Sequence, residues 1–554
     1  MEYVDKSSLC YHCKVHKTGR ICFKDDTVPS PRESEDANAN SFFKRLTEPI
    51  HAAFVKAMVM KTITGTAIED FVDYFRNRKI DHKFDIVNKN KSEFEYSSIP
   101  EYIRRCDRCL CYFSSQVSCH CGGCQEDPES HYVIMMHGIL ASPLMMTDCC
   151  RVLIERYPRL FVYFPVCACG KTLHGTGVVL KFLIDELSTL FSKLPSRFKV
   201  SLVGHSFGGI LMRYFFLNHF KTTMAERQRG RRGKSAERSI TWKNLVCVAT
   251  PHAGIYEDNR EFRKLVSLIG SNTINELDNE TVELLFLLKD EGFVGEFERF
   301  IIYGNISGDM MVAPRTSIIL PYHLYSDKDL HRIQKLIQKS PGTPREISEL
   351  DFLRGADSQS PLNSDELESS SESADADCKD KDRGRDKDWA DSDSEEAELL
   401  DREAVASELM ARFSEIVERK IANSRSLKYI QNLMLSPPDR QRSLDGAVGS
   451  KRKRCDPSGH GMFSRHDFAK FNDVISEIVR VADESLLRRL MADNSLFYFE
   501  VLLSITHRLP CTKFAVYIPR IHMPHRSIIT LHAPVTHESY TEEVLTHITH
   551  TFSY

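Results

Sequence analysis

The residues in this chain best arranged for chemistry are Gly204-His205-Ser206-Phe207-Gly208, with a further glycine at 209. A β-rich run, Val200 to Val203, stops at Gly204, and a helix-period run starts at about Phe207. Gly-x-Ser-x-Gly between a strand and a helix is the pattern of a nucleophile elbow. The tight turn holds the serine in a strained backbone with its hydroxyl projecting above a sheet, and a side chain at Gly204 or Gly208 would strike its neighbours. The following helix points free N–H groups and the positive end of its dipole at the serine oxygen. The competing reading is a glycine-rich βα turn with no catalytic duty.

A serine nucleophile of this kind needs an acid and a histidine later in the chain, in the order Ser, Asp or Glu, His, each after a strand. Asp309 follows the strand-like run Phe300 to Asn305 within four residues, behind Gly308. Asp327 and Asp329 are reserve acids farther from a strand, and Asp309 could instead shape an Asx turn. The last strand-like run, Lys513 to Ile518, is followed by His522, His525, His532 and His537. His525 is the chosen base: it lies on a loop punctuated by Pro519 and Pro524, before the β-rich run Ser527-Ile528-Ile529. His547 and His550 belong to a C-terminal helix that Ser539-x-x-Glu542 would cap as a capping box. The oxyanion of an acyl-transfer intermediate needs two backbone N–H donors. Phe207 supplies one, and the loop after the first core strand, His137-Gly138-Ile139-Leu140, supplies the other from Ile139 or Leu140.

The elements that must position these residues form a regular series. Tyr132 to Met136, Leu160 to Phe164, Val200 to Val203, Asn244 to Thr250 and Phe300 to Asn305 read as buried strands. Helical stretches alternate with them at about 142–156, 178–194, 207 onward and 259–297. Such alternation predicts an α/β domain whose mainly parallel sheet carries helices on both faces. Before it come a cysteine-containing segment and linker (1–40) and a helical region with a cysteine-rich module (41–130). The core occupies 131–324 and resumes at 496–554. Residues 325–495 form an insertion between the last two core strands, with helices at about 403–434 and 467–492. Its part 356–404 is dominated by Ser, Asp, Glu and Lys, a composition that predicts disorder.

The chain has 554 residues, 42% of them hydrophobic, and a formal net charge of −3, which argues against a general nucleic-acid binder. The run Lys451-Arg452-Lys453-Arg454 reads as a solvated charge run before it reads as an import signal. No apolar run of spanning length is present, so membrane contact is expected to be peripheral. Seventeen cysteines without a secretory leader point to reduced thiols and an intracellular, cytoplasmic protein. Two clusters have metal-ligand spacing: Cys10, Cys13, His16 and Cys22, and the denser set Cys106, Cys109, Cys121 and Cys124. The latter makes two Cys-x2-Cys knuckles, a candidate structural zinc site; four thiolates leave no open position for catalysis.

The motifs together resemble the lipase-like "putative serine esterase" family of intracellular α/β-hydrolases. They are Val133-Ile134-Met135-Met136-His137-Gly138, Gly204 to Gly209 with Arg213-Tyr214, Thr250-Pro251-His252-Ala253-Gly254, and Asn305 to Asp309 with Val312 and Pro314. Thr-Pro-His-x-Gly is the most specific of them and is expected to shape the rim of the site. Ala141 stands where relatives often repeat a glycine. The resemblance covers about 131–320 well, and about 513–553 weakly. It implies an α/β-hydrolase fold and hydrolysis of carboxylic esters, of lipids by preference, without a catalytic cofactor. The alternative is an inactive hydrolase-fold scaffold acting through its cysteine modules and a protein partner of its acidic insertion.

Overall fold

The computed structural model describes residues 99–119, 129–228, 239–255, 271–279, 294–309, 311–349, 402–423, 465–519, 524–531 and 538–554. The cluster Cys10 to Cys22, the stretch before residue 99 that was expected to be helical and most of the acidic insertion lie outside them.

A short hairpin comes first, β1 (Ile103–Arg105) and β2 (Tyr112–Ser114), followed by β3 (His131–Met136). A 3-10 turn, Pro143–Met146, leads into α1 (Thr147–Arg156), then β4 (Leu160–Tyr163) and α2 (Thr176–Lys193). Next come β5 (Arg197–His205), α3 (Phe207–Gln228), β6 (Ser239–Val248), α4 (Asn272–Asn279) and β7 (Arg299–Asn305). The insertion contributes α5 (Asp327–Ile337), β8 (Arg345–Glu346), α6 (Arg402–Asn423), α7 (Arg465–Val481) and α8 (Glu484–Ala492). The chain ends with α9 (Asn494–His507), β9 (Thr512–Val516) and α10 (Glu538–Thr551).

The nine strands form one sheet in the order β1-β2-β4-β3-β5-β6-β7-β9-β8. The six strands from β4 to β9 in that order are parallel, while β1, β2 and β8 run antiparallel at the edges. That order, with its central crossovers, is the α/β-hydrolase arrangement. Because β3 lies between β4 and β5, the connections leaving β3 and β5 diverge to opposite faces, a switch point where a crevice opens beyond the strand ends. The elbow leaves β5 there, and the His137-Gly138 loop leaves β3.

Period-2 side-chain alternation divides the core cleanly. Tyr132, Ile134 and Met136 of β3 face one layer, with Leu183 and Leu187 of α2, Leu211 of α3, Phe413 of α6, Phe471 of α7 and Leu503 of α9. Val133 and Met135 face the other, with Leu153 of α1 and Val544, Leu545 and Ile548 of α10. Each fully buried leucine contributes roughly 2 kcal/mol of apolar burial. The inserted helices α6 and α7 therefore share the principal core.

Three local expectations are corrected. The sheet begins at β1, inside the cysteine-rich stretch, rather than at residue 131. Ser527-Ile528-Ile529 is no strand: a helical turn, Pro524–Ser527, carries His525, with Ile528 and Ile529 buried behind it. Ser539 lies inside α10, which starts at Glu538, so it does not cap that helix.

Candidate active site

Ser206 sits between β5 and α3 with φ of 55°, a left-handed backbone that a β-substituted residue adopts only under constraint. The constraint is visible on both sides. Ser206 N–H donates to the Val248 carbonyl at 2.8 Å, tying the turn to β6. Helix α3 then lies so close to β3 that a Cβ on Gly208 would stand 2.2 Å from the Met136 carbonyl oxygen. Gly204 and Gly209 cross in the same way, 2.4 Å separating a Cβ on the first from the backbone of the second.

The loop after β3 presses on Ser206: a Cβ on Gly138 would lie 2.8 Å from Ser206 Cβ and 3.3 Å from its Oγ. His137 is buried, its Nδ1 bonded to the Gly138 carbonyl at 2.9 Å and its Nε2 3.8 Å from Cys169 Sγ. Leu140 has φ of 51°, and its N–H donates to Thr172 Oγ1 at 3.0 Å. That amide is already committed. The N–H groups of Ile139 and Phe207 have no acceptor among the described residues.

Asp309 and His525, 216 positions apart, meet: His525 Nδ1 donates to Asp309 Oδ2 at 2.8 Å. The other carboxylate oxygen accepts the amides of Met311 and Val312, each at 2.9 Å, and Asn305 Nδ2 donates to Oδ2 at 3.1 Å. Burial alone would raise the pKa of so enclosed a carboxyl. The facing His525 and these donors outweigh it, and the pKa falls below its ordinary value. Asp309 is thus ionised, and because His525 gives its Nδ1 proton to that bond, Nε2 is the ring nitrogen left to act as a base. Asp327 is engaged elsewhere, with the buried Arg315, and Asp329 caps α5. His522, His532 and His537 lie outside the described residues.

A residue the motif leaves as filler completes the connection. His205 Nε2 donates to the backbone carbonyl of His525 at 2.7 Å, and the two rings stand 4.9 Å apart. The turn carrying His525 is therefore bonded to the residue directly before Ser206. No Ser206–His525 hydrogen bond is formed among the described residues; such contacts commonly close only around substrate. Full burial, then the neighbouring His525, lowers the pKa of His205 to about 3, so its ring stays neutral.

Thr250-Pro251-His252-Ala253-Gly254 is buried behind the site rather than on its rim. Thr250 meets Gly209, where a Cβ would lie 2.1 Å from Thr250 Oγ1. His252 Nδ1 accepts from the buried Arg213 of α3 at 2.9 Å. The element is a buttress for the elbow helix.

Cys106 and Cys109 also come together, with Cys119 as their third member. Cys121 and Cys124 lie outside the described residues.

Residues 126–319 match the family model described as "Putative serine esterase (DUF676)". Ser206 and Asp309 fall inside the match, and His525 falls beyond it. Among solved structures, the chain is similar to a Bacillus licheniformis lipase in its propeptide form, at 13% identity. That match covers 34% of this chain and only 38% of the lipase, with a TM-score of 0.23. Esterase B from Lactobacillus rhamnosis matches at 10% identity over 53% of this chain and 98% of that one, with a TM-score of 0.26. Its tributyrin phosphonate-inhibited form matches over the same shares at a TM-score of 0.27. No curated protein matches the sequence.

Proposed function

We propose that this protein is a serine hydrolase of carboxylic esters, with Ser206 as nucleophile, His525 as general base and acid, and Asp309 as the group that orients the imidazole. The observation that carries the reading is the buried Asp309–His525 pair, bonded through the His525 carbonyl to the residue before Ser206. In the reaction, His525 Nε2 takes the Ser206 proton as Oγ attacks the ester carbonyl. The oxyanion accepts from the N–H groups of Phe207 and Ile139. His525 then protonates the departing alcohol, and water hydrolyses the acyl-serine by the same steps in reverse order of roles. Each oxyanion donor would supply about 3 kcal/mol of transition-state stabilisation.

Lipid esters are the substrate class we favour, met by peripheral contact with a membrane surface inside the cell. Leu173 and Ile274 are buried against Ile139, Leu140 and Ile255, an apolar wall adjoining the proposed oxyanion loop and suited to an acyl chain. Among the described residues no helix is long and apolar enough to cross a membrane.

A panel of p-nitrophenyl esters of graded acyl length tests the reading against that of an inactive scaffold. Wild type should turn over at least one ester of the series, Ser206→Ala and His525→Ala should turn over none, and His537→Ala should match wild type. Equal turnover by Ser206→Ala, or none by wild type on any ester, would remove the enzyme from consideration.

A further inference from the structure

We infer that Cys106, Cys109 and Cys119 are ligands of a zinc ion that fixes the antiparallel edge of the sheet. Their three Sγ atoms lie within 4.8 Å of one another, and those of Cys109 and Cys119 are 3.5 Å apart. Bonded disulfide sulfurs stand about 2.05 Å apart. Thiolates about 2.3 Å from a tetrahedral zinc are separated by about 3.8 Å, the spacing these sulfurs approach.

The backbone between them has the form of a metal knuckle. Leu110 N–H donates to the Cys106 carbonyl, Cys106 N–H to the Cys111 carbonyl, and Arg108 N–H to Cys106 Sγ at 3.4 Å. This turn holds Leu110 at φ of 64°, a conformation unfavourable for a leucine, and brings Cys106 and Cys109 to one side. Cys119 returns to them from the far end of the hairpin. Cys111 packs its Sγ 3.8 Å from the Cys109 carbonyl and does not belong to the group of three sulfurs within 4.8 Å of one another. An all-sulfur donor set selects a soft or borderline ion with no geometric demand beyond a tetrahedron, which is zinc before magnesium or calcium.

The place in the fold gives the ion a task. β2 joins β4 through a single register pair, Tyr112 with Val162, so the hairpin has little ladder to hold it. A metal bridging its two ends would close it. The site is remote in chemistry from ester cleavage and stands or falls without it.

The test is metal analysis of the full chain purified under reducing conditions, with cobalt exchange. Wild type should hold about one zinc per chain, and the cobalt form should show a thiolate-to-cobalt charge-transfer band with tetrahedral ligand-field absorption. Cys109→Ser and Cys119→Ser should lose the metal, and Cys111→Ser should keep it. The cobalt spectrum of wild type decides the matter even if the serine variants fold poorly. Wild type without stoichiometric metal, or peptide mapping that finds a Cys109–Cys119 disulfide, would overturn the assignment, as would a Cys109→Ser/Cys119→Ser variant that retains the ion.

Discussion

At the scale of single residues, the account turns on what holds His525. Asp309→Asn keeps the carboxylate's shape but withdraws its charge and offers a donor to Nδ1, which favours the wrong tautomer. Turnover should fall by about 10⁴-fold with an unchanged circular dichroism spectrum. A loss of less than tenfold would mean that this pair does not orient the base. Asp309 was the expected acid because chain order and closeness to a strand end leave few candidates, and it is bonded to His525. His525 was chosen from several histidines on proline punctuation, and the structure pairs it with Asp309. His205 could not have been foreseen as the link to His525, since a motif position written "x" carries no signal of its partner. His252 was expected on a rim because sequence shows that it is polar and not that it is buried.

At the scale of elements, the elbow depends on close backbone approach. Gly208→Ala would drive a methyl group into the Met136 carbonyl, so we expect a destabilisation of about 3 kcal/mol in denaturant unfolding. A change below about 0.5 kcal/mol would contradict the close α3–β3 contact. The loop after β3 depends on Thr172, which accepts the Leu140 N–H. Thr172→Val keeps the volume and removes the acceptor; kcat should drop at least tenfold while KM changes little, because the defect lies in oxyanion geometry. An unchanged kcat would separate that bond from catalysis. The long strands and helices were readable from periodicity. β1, β2 and β8 were not, since strands of two or three residues are too short to display alternation and are set by the partners they pair with.

At the scale of the molecule, one sheet joins segments from residue 103 to 516, and its two faces bury histidines as neutral rings. Burial lowers the pKa of both His131 and His205 to about 3, and that of His252 well below its ordinary value. Their unfolded values lie near 6.5. The sign follows: these groups support the fold fully above about pH 6.5, and stability declines as pH falls from there toward their folded values. Each removes about 1.4 kcal/mol per pH unit in that window, because only the unfolded chain takes up the proton. Denaturant midpoints measured from pH 7 to pH 5 should decline, and His131→Gln should flatten the slope; an identical slope would contradict the buried neutral state. The mainly parallel α/β sheet was legible as an alternation of strands and helices, whereas its strand order and the integration of α6 and α7 into its principal core were not, since composition reports the polar linkers more loudly than the packing between them. The central claim, that all this architecture serves a nucleophile at Ser206, is tested most directly by mapping the adduct of a fluorophosphonate probe on the full chain by peptide mass spectrometry. The account predicts a single adduct on Ser206, absent in Ser206→Ala and formed far more slowly in His525→Ala; an adduct on another serine, or none on the folded wild type, would contradict it.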